Sequence, residues 1–257
     1  MLTVKEPVSM RYHTKIEKVV IPAGQSGDLR PIELDIESIA DFNKAIDDMF
    51  AELEARGEQD LLAELCPYFG TVWASGRALA EIIAAEPSSS IKGQSFLEIG
   101  CGLAVPSMIL LRLGAGRVVA TDMHPDVGEF LERNLRRNQL GDGVAFEYRQ
   151  VDWRGGHDEG KGGIQFIEQI FGDQHPDVVI ASDVLYDRGQ SAQVAEFLAQ
   201  CMDKGTRRVI LTDPGRPYLQ EFVTAAADRG LHARLGSRVV PDPAGEVSVF
   251  VMEFTAR

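Results

Sequence analysis

A short run near the middle of the chain combines an acidic side chain with two closely spaced glycines. The run is EIGCGLA at residues 98–104, and Asp122 follows Gly102 by 20 residues. Glycines that follow a strand let the backbone turn tightly and approach a ligand closely. An acidic residue at the end of the next strand is placed to accept hydrogen bonds from both hydroxyls of a ribose. The spacing therefore predicts a site for a ligand that contains a nucleoside.

Two classes of ligand use this layout, and the residues favour one of them. Dinucleotide-binding enzymes need a third glycine for close helix–strand packing, but Val105 and Pro106 stand there. Glu98, two residues before Gly100, suits a ligand with an ammonium group, such as the methionine part of S-adenosylmethionine. A nicotinamide dehydrogenase is therefore disfavoured, and a glycine turn without a ligand is the structural alternative.

The segments that must position these residues alternate between strand and helix from about residue 71. Short apolar runs such as FLEI, VVAT and VVIAS are typical of parallel strands that helices cover on both faces. This order predicts an α/β fold, with a Rossmann-like, seven-stranded and mostly parallel sheet between two layers of helices. The predicted strands are 95–99, 117–122, 144–150, 177–183, 207–213, 232–240 and 247–255, and the last two form a hairpin that puts one antiparallel strand at the sheet's end. The predicted helices are 73–86, 104–114, 125–139, 190–203 and 217–229.

Residues 1–66 are predicted to form an N-terminal β/α appendage to a main domain at 67–257. Its strands fall within residues 9–36, and helices are predicted at 38–56 and 58–65. Ser38, with Asp41 three residues later, resembles a capping box at the start of the first helix. Residues 33–66 carry eleven acidic and two basic side chains. This acidic segment indicates either a solvated helix face or a guide for a basic partner.

Composition excludes several classes of function. The chain has 257 residues, 26 Lys and Arg against 39 Asp and Glu, and a net charge of −13. Nucleic acids and anionic membranes both attract clustered positive charge, so neither is an expected partner. The three cysteines show no CxxC spacing and the five histidines are scattered, which predicts no disulfide framework and no metal site. The start lacks the apolar core of a signal peptide, and we expect a cytoplasmic location.

Several local motifs together resemble those of one enzyme family. They are PYFGTVWASGRALA at 67–80, LEIGCGLAVPS at 97–107, Asp152-Trp153, SDVLYD at 182–187 and TDPGR at 212–216. On these motifs the sequence resembles the class I, seven-β-strand S-adenosylmethionine-dependent methyltransferases. More narrowly, it is similar to the lysine methyltransferase group with a D-x-x-Y motif, whose members act on calmodulin, chaperones and the β subunit of electron transfer flavoprotein. Phe69, Ala74 and Thr212 depart from that pattern, and none of these changes removes a charged contact to the cofactor.

The resemblance implies S-adenosylmethionine as cofactor and a role for each matching residue. Glu98, Gly100 and Gly102 would hold the methionine end, and Asp122 would bind the ribose. Asp152 would accept from the adenine amino group beside the Trp153 backbone. Trp73 would pack near the sulfonium, because an aromatic face favours a cation; a core tryptophan is the structural alternative.

Asp183 and Tyr186 are the predicted catalytic residues of the D-x-x-Y motif. They follow the strand predicted at 177–183, and ligands of open α/β sheets bind at such carboxyl ends. Tyr186 would hydrogen-bond an acceptor amine and Asp183 would attract and orient it, close to the cofactor. The structural alternative is a helix-capping aspartate and a partly buried tyrosine. Asp213 and Arg216 in TDPGR are weaker candidates, because DPG is ordinary turn chemistry.

These residues predict an S-adenosylmethionine-dependent N-methyltransferase that acts by in-line transfer on a lysine side chain of a protein. One alternative acceptor is a small molecule, such as a pyridine or amine metabolite. A further alternative is a methyltransferase-like binding module without catalysis, against which the intact D-x-x-Y motif argues.

Overall fold

The computed structural model describes residues 11–22, 30–141, 145–152, 167–168, 171–172, 174–186, 189–242 and 245–256. Two strands near the start, β1 (Thr14–Ile21) and β2 (Ile32–Ile39), form an antiparallel hairpin. A separate sheet of seven strands follows. Its strands are β3 (Ser95–Ile99), β4 (Arg117–Asp122), β5 (Ala145–Gln150), β6 (Val178–Ser182), β7 (Arg208–Asp213), β8 (Arg234–Asp242) and β9 (Gly245–Thr255).

The order across the larger sheet is β5-β4-β3-β6-β7-β9-β8. Strands β3 to β7 pair in parallel, whereas β9 pairs antiparallel with both β7 and β8. The predicted antiparallel strand is β9, and it lies second from the sheet edge because it folds back from β8 and pairs with β7. The chain runs outward in opposite directions from β3 and β6, and a ligand crevice is expected where the direction reverses.

Two helices, α1 (Phe42–Arg56) and α2 (Leu62–Leu65), follow the N-terminal hairpin. Helices cover both faces of the larger sheet, as the sequence predicts. They are α3 (Ala74–Ala85), α4 (Val105–Arg112), α5 (Val127–Arg137), α6 (Gln190–Asp203) and α7 (Leu219–Asp228). Successive strand residues point to opposite faces, so Phe96 of β3 packs with the core beneath α3, α4 and α5. Leu97 packs with the core beneath α6 and α7. The α/β, Rossmann-like fold is thus confirmed. Among the described residues, no helix has both the length and the apolar character that crossing a membrane requires.

The first helix begins later than the sequence indicates. Ser38 lies inside β2 and pairs with Lys15 across the hairpin, so it cannot cap a helix. Asp41 is the N-cap instead, and its side chain accepts from the backbone N–H of Lys44 at 3.0 Å. The prediction of a capping box at Ser38 was therefore wrong, because strand pairing keeps the chain extended through Ile39.

The N-terminal hairpin docks onto α5 through two asparagines. The backbone N–H of Glu37 donates to Oδ1 of Asn134 at 2.6 Å, and Asn134 Nδ2 returns a bond to the Glu37 carbonyl at 3.0 Å. Asn138 makes the same reciprocal pair with Asp35, at 2.9 Å in each direction. Apolar residues of the hairpin belong to the same core as α3 and α5. The hairpin is thus fastened to a helix that covers the larger sheet. The predicted boundary between an appendage at 1–66 and a main domain at 67–257 stays a prediction.

Candidate active site

The glycine run forms a tight turn between β3 and α4. Gly100 and Gly102 have φ values of +63° and +50°, and Ala104 has +53°. A Cβ atom at Gly100 would lie 2.8 Å from Cγ1 of Val184, and one at Gly102 would lie 3.2 Å from the Phe69 carbonyl oxygen. Left-handed backbone and close neighbours both require glycine here. The turn therefore brings bare backbone to the carboxyl end of the sheet.

Asp122 ends β4 and fastens this turn to the next strand. Its Oδ2 accepts from the backbone N–H of Gly102 at 2.9 Å, and its Oδ1 accepts from that of His124 at 2.9 Å. The side chain is 9% exposed, and burial raises the pKa of Asp122 above its ordinary value. Each carboxylate oxygen carries two lone-pair sites, so the two backbone bonds leave capacity for ligand hydroxyls.

Glu98 lies behind the turn and is fully buried. Ser107 of α4 donates to its Oε2 through both the hydroxyl and the backbone N–H, the latter at 3.2 Å. Its Oε1 has no hydrogen-bond partner among the described residues. Burial raises the pKa of Glu98 to about 8. Glu98 is not among the residues that line the cavity described next, so its role at the methionine end stays a prediction.

A cavity of about 340 Å³ opens at the carboxyl ends of β3, β4, β6 and β7. This volume is within the range of small-molecule sites. The cavity lies where the strand order reverses, as the topology predicts. It brings together six predicted site residues, which are Trp73, Gly100, Gly102, Asp122, Asp183 and Tyr186.

An aromatic cluster forms the wall of the cavity nearest the N-terminal segment. Trp73 precedes α3, and its Nε1 donates to the Tyr68 carbonyl at 2.8 Å. The ring of Phe42, from α1, meets Trp73 edge-on at 5.5 Å and Tyr68 at 5.8 Å between centroids. The acidic helix α1 is thereby attached to the rim of the cavity.

Asp183 and Arg216 form an ion pair in the lining of the same cavity. Arg216 Nε lies 2.7 Å from Asp183 Oδ1, and a second guanidinium nitrogen reaches the same oxygen. Asp183 has a φ of +61°, an uncommon conformation for a residue other than glycine. Such strain is often found at functional sites. Tyr186, 46% exposed, lies at the mouth of the same cavity.

Of Asp152 and Trp153, the two residues predicted to contact adenine, only Asp152 lies in the described part of the chain. Asp152 follows β5, next to the strand that carries Asp122, and is exposed. It is not among the residues that line the cavity. Trp153 lies outside the described residues. The adenine contact of this pair therefore stays a prediction.

His124 lines the cavity and has no part in the sequence-based prediction. Its Nδ1 accepts from the backbone N–H of Asp126 at 3.1 Å, so the proton of the neutral ring lies on Nε2, 3.1 Å from the Leu65 carbonyl. The ring packs on Phe69 at 4.4 Å between centroids. His124 thus ties the end of β4 to the segment after α2. Its position two residues after Asp122 is the signal that sequence analysis overlooks.

The described residues contain no cluster of three or more His, Cys, Asp or Glu that could hold a metal ion. Cys66, Cys101 and Cys201 are free and buried.

Comparison with known proteins gives a consistent result. The family model described as lysine methyltransferase matches residues 66–221. The chain is 27% identical over 158 residues to the human electron transfer flavoprotein beta subunit lysine methyltransferase, covering 62% of this chain and 53% of that protein. It is 25% identical over 179 residues to the protein N-terminal and lysine N-methyltransferase efm7 of Neurospora crassa, covering 62% and 60%. The chain therefore spans only a little over half of these curated relatives.

A crystal structure of magnesium protoporphyrin IX methyltransferase from Synechocystis PCC 6803 with bound SAM superposes with a TM-score of 0.51. The two chains are 14% identical, and the match covers 84% of this chain and 98% of that one. At this identity the likeness supports the fold.

Proposed function

The chain belongs to the lysine methyltransferase family, and we propose that it transfers a methyl group from S-adenosylmethionine to the side-chain amine of a lysine in a protein. The observation that carries this proposal is that Asp122, the glycine turn, Asp183 and Tyr186 all line one cavity. The residues proposed to bind the nucleoside and those proposed to bind the amine line the same cavity.

The residues of the cavity fit the cofactor chemically. The buried carboxylate of Asp122 suits two ribose hydroxyls, and the glycine turn leaves room for a ligand against the backbone. Trp73 offers an aromatic surface that suits a positively charged sulfonium. When bound, S-adenosylmethionine supplies an activated methyl group on that sulfonium.

The chain's own residues then align the acceptor with this group. Alignment is the main contribution of the protein when the leaving group is already activated. Tyr186 at the cavity mouth would hydrogen-bond the acceptor nitrogen, and Asp183 would orient it. A lysine nitrogen attacks only after losing its proton, so the site must also accept the acceptor as a neutral amine.

Incubation with labelled S-adenosylmethionine and a cell lysate is expected to place label on lysine side chains of one or a few proteins, identified by mass spectrometry. The electron transfer flavoprotein β subunit is a direct candidate to include, since several relatives are named for it. As a control, Tyr186→Ala should lower transfer by roughly 100-fold while cofactor binding by calorimetry stays within about twofold. Label that appears only in small molecules would contradict a protein acceptor.

The exposed acidic residues of α1 give a second test of the acceptor class. We expect Asp47→Asn combined with Glu54→Gln to lower kcat/KM for a protein acceptor by roughly threefold at low salt, because the negative field attracts a basic partner. The matched control, Asp203→Asn with Asp228→Asn, removes the same charge where α6 and α7 end, at the amino-end side of the sheet. Equal effects of the two double variants would leave α1 as an ordinary solvated face.

The same enzyme is proposed to act in the cytoplasm. Three buried thiols without a disulfide suit a reducing compartment.

A further inference from the structure

The ion pair between Asp183 and Arg216 raises a question that bears on the proposed lysine acceptor. An unpaired carboxylate beside an amine stabilises the ammonium form. An ammonium has no lone pair with which to attack, and a free lysine is already charged at neutral pH, with a pKa of roughly 10.4. A bare Asp183 in the acceptor pocket would therefore hold the acceptor in its unreactive form.

Resting on that proposed function, we propose that Arg216 is a positioning residue that balances the charge of Asp183, so that Asp183 orients the acceptor lysine without holding its proton. The guanidinium lies 2.7 Å from the carboxylate and lines the same cavity. The side chains of Arg216 and Asp183 are 34% and 10% exposed, so solvent screens the pair only partly. The acceptor therefore meets an Asp183 carboxylate whose charge Arg216 already opposes.

The backbone around Arg216 is built to hold it in this place. Asp213 ends β7, is fully buried, and accepts through Oδ1 from the backbone N–H groups of Gly215 and Arg216, both at 2.8 Å. Gly215 has a φ of +90°, and its Cα lies so close to the Phe250 ring that a Cβ would come within 2.8 Å of it. The Arg216 carbonyl accepts from Leu219 at 3.0 Å as α7 begins. The turn thus fixes the arginine before any ligand binds.

Among the described residues, no other charged or titratable group near this end of the cavity replaces Arg216. Those groups are Glu64, Cys66, Tyr68 and Tyr186 in the lining, with Asp213 buried behind the pair, and Cys101, Asp122 and His124 at the nucleoside end. Glu64, Asp122 and Asp213 are acidic, and the tyrosines and the cysteines carry no positive charge. Arg216 is therefore the cation that opposes Asp183 among the residues that line the cavity.

The test uses n-butylamine, a lysine side chain without its backbone, added to protein saturated with S-adenosylhomocysteine. At pH 7 the probe is almost wholly butylammonium. Arg216→Met should bind it roughly tenfold more tightly than wild type, because Asp183 is then uncompensated. Asp183→Asn should bind it roughly tenfold more weakly. The double variant Arg216→Met with Asp183→Asn removes both charges, and Arg216→Lys keeps both. Each should therefore bind the probe within about twofold of the wild-type affinity.

Unchanged or weaker binding by Arg216→Met, in protein whose folding is verified by its unfolding curve, would overturn the charge balance. With an unmethylated lysine peptide as substrate, the acid limb of kcat should also move up by about one pH unit in Arg216→Met and stay in place in Arg216→Lys. The binding comparison needs no turnover. A wild-type protein that labels no lysine would therefore refute the proposed function while butylammonium binding still decides the role of Arg216.

Discussion

Replacing Asp122 with alanine is expected to weaken S-adenosylmethionine binding by at least roughly 100-fold. Hydrogen bonds to a charged group are worth about 1.5 to 3 kcal/mol each, and a factor of 100 needs only about 2.7 kcal/mol. The variant would lose the acceptors for both ribose hydroxyls. It would also free the backbone N–H groups of Gly102 and His124, which Asp122 now holds at 2.9 Å. Titration calorimetry measures the loss directly.

Two control variants separate ribose binding from the support of the turn. Asp122→Asn keeps one oxygen acceptor but points an amide N–H₂ at a backbone donor, so it too should bind poorly. Asp152→Ala should lose less than about tenfold, because a solvent-exposed hydrogen bond contributes on the order of 1 kcal/mol, and Asp152 is exposed. An Asp122→Ala protein that binds within about fivefold of wild type, or a larger loss at Asp152, would contradict this division of roles.

The strands and helices around the cavity could be predicted because their signals are local. The runs SFLEI, RVVATD and RVILTD are short and apolar, and each forms a parallel strand where the sequence indicates. The glycine turn needs left-handed backbone at positions that glycine supplies. Residues that follow parallel strands meet at one edge, so spacing alone places Asp122 and Asp183 at a common site.

The features that sequence analysis misplaced depend on contacts between distant segments. Ser38 is a residue type that often caps helices, but its pairing with Lys15 of β1 holds it in a strand. The position of β9 between β7 and β8 follows from which strands pair, and local alternation does not encode that choice. The Asp183–Arg216 ion pair joins residues 33 apart, and nothing in either local motif shows that their charges meet.

Glu98 shows most clearly what burial adds to a motif. Its residue type and its spacing from Gly100 predict a charged contact for an ammonium group. In the folded chain its carboxyl is fully buried, accepts from Ser107, and has a pKa raised to about 8 by burial. Burial thus favours the neutral form of the carboxyl in the free protein, which changes both the stability and the ligand chemistry expected of it.

The free energy of unfolding should fall as pH rises from about 5 to about 8. In this range the folded state keeps the Glu98 proton, whereas the unfolded state, with a pKa near 4.5, has lost it. The folded state thus binds more protons, and stability declines by about 1.4 kcal/mol per pH unit, or roughly 4 kcal/mol across the window. The contribution is fully present below the unfolded pKa and is lost as pH passes the folded one. Urea unfolding at pH 5 and pH 9 measures this decline.

Glu98→Gln isolates this effect because glutamine stays neutral at every pH and can still accept from Ser107. The variant should match wild type within about 1 kcal/mol at pH 5 and exceed it by several kcal/mol at pH 9. Parallel pH dependence of the two proteins would refute a raised pKa. Calorimetry in phosphate and in Tris at pH 7 then tests the ligand role. If Glu98 holds the cofactor's ammonium, binding ionises it and wild type releases up to about one proton that Glu98→Gln does not. If Glu98 only fastens the turn to α4, both proteins release the same number.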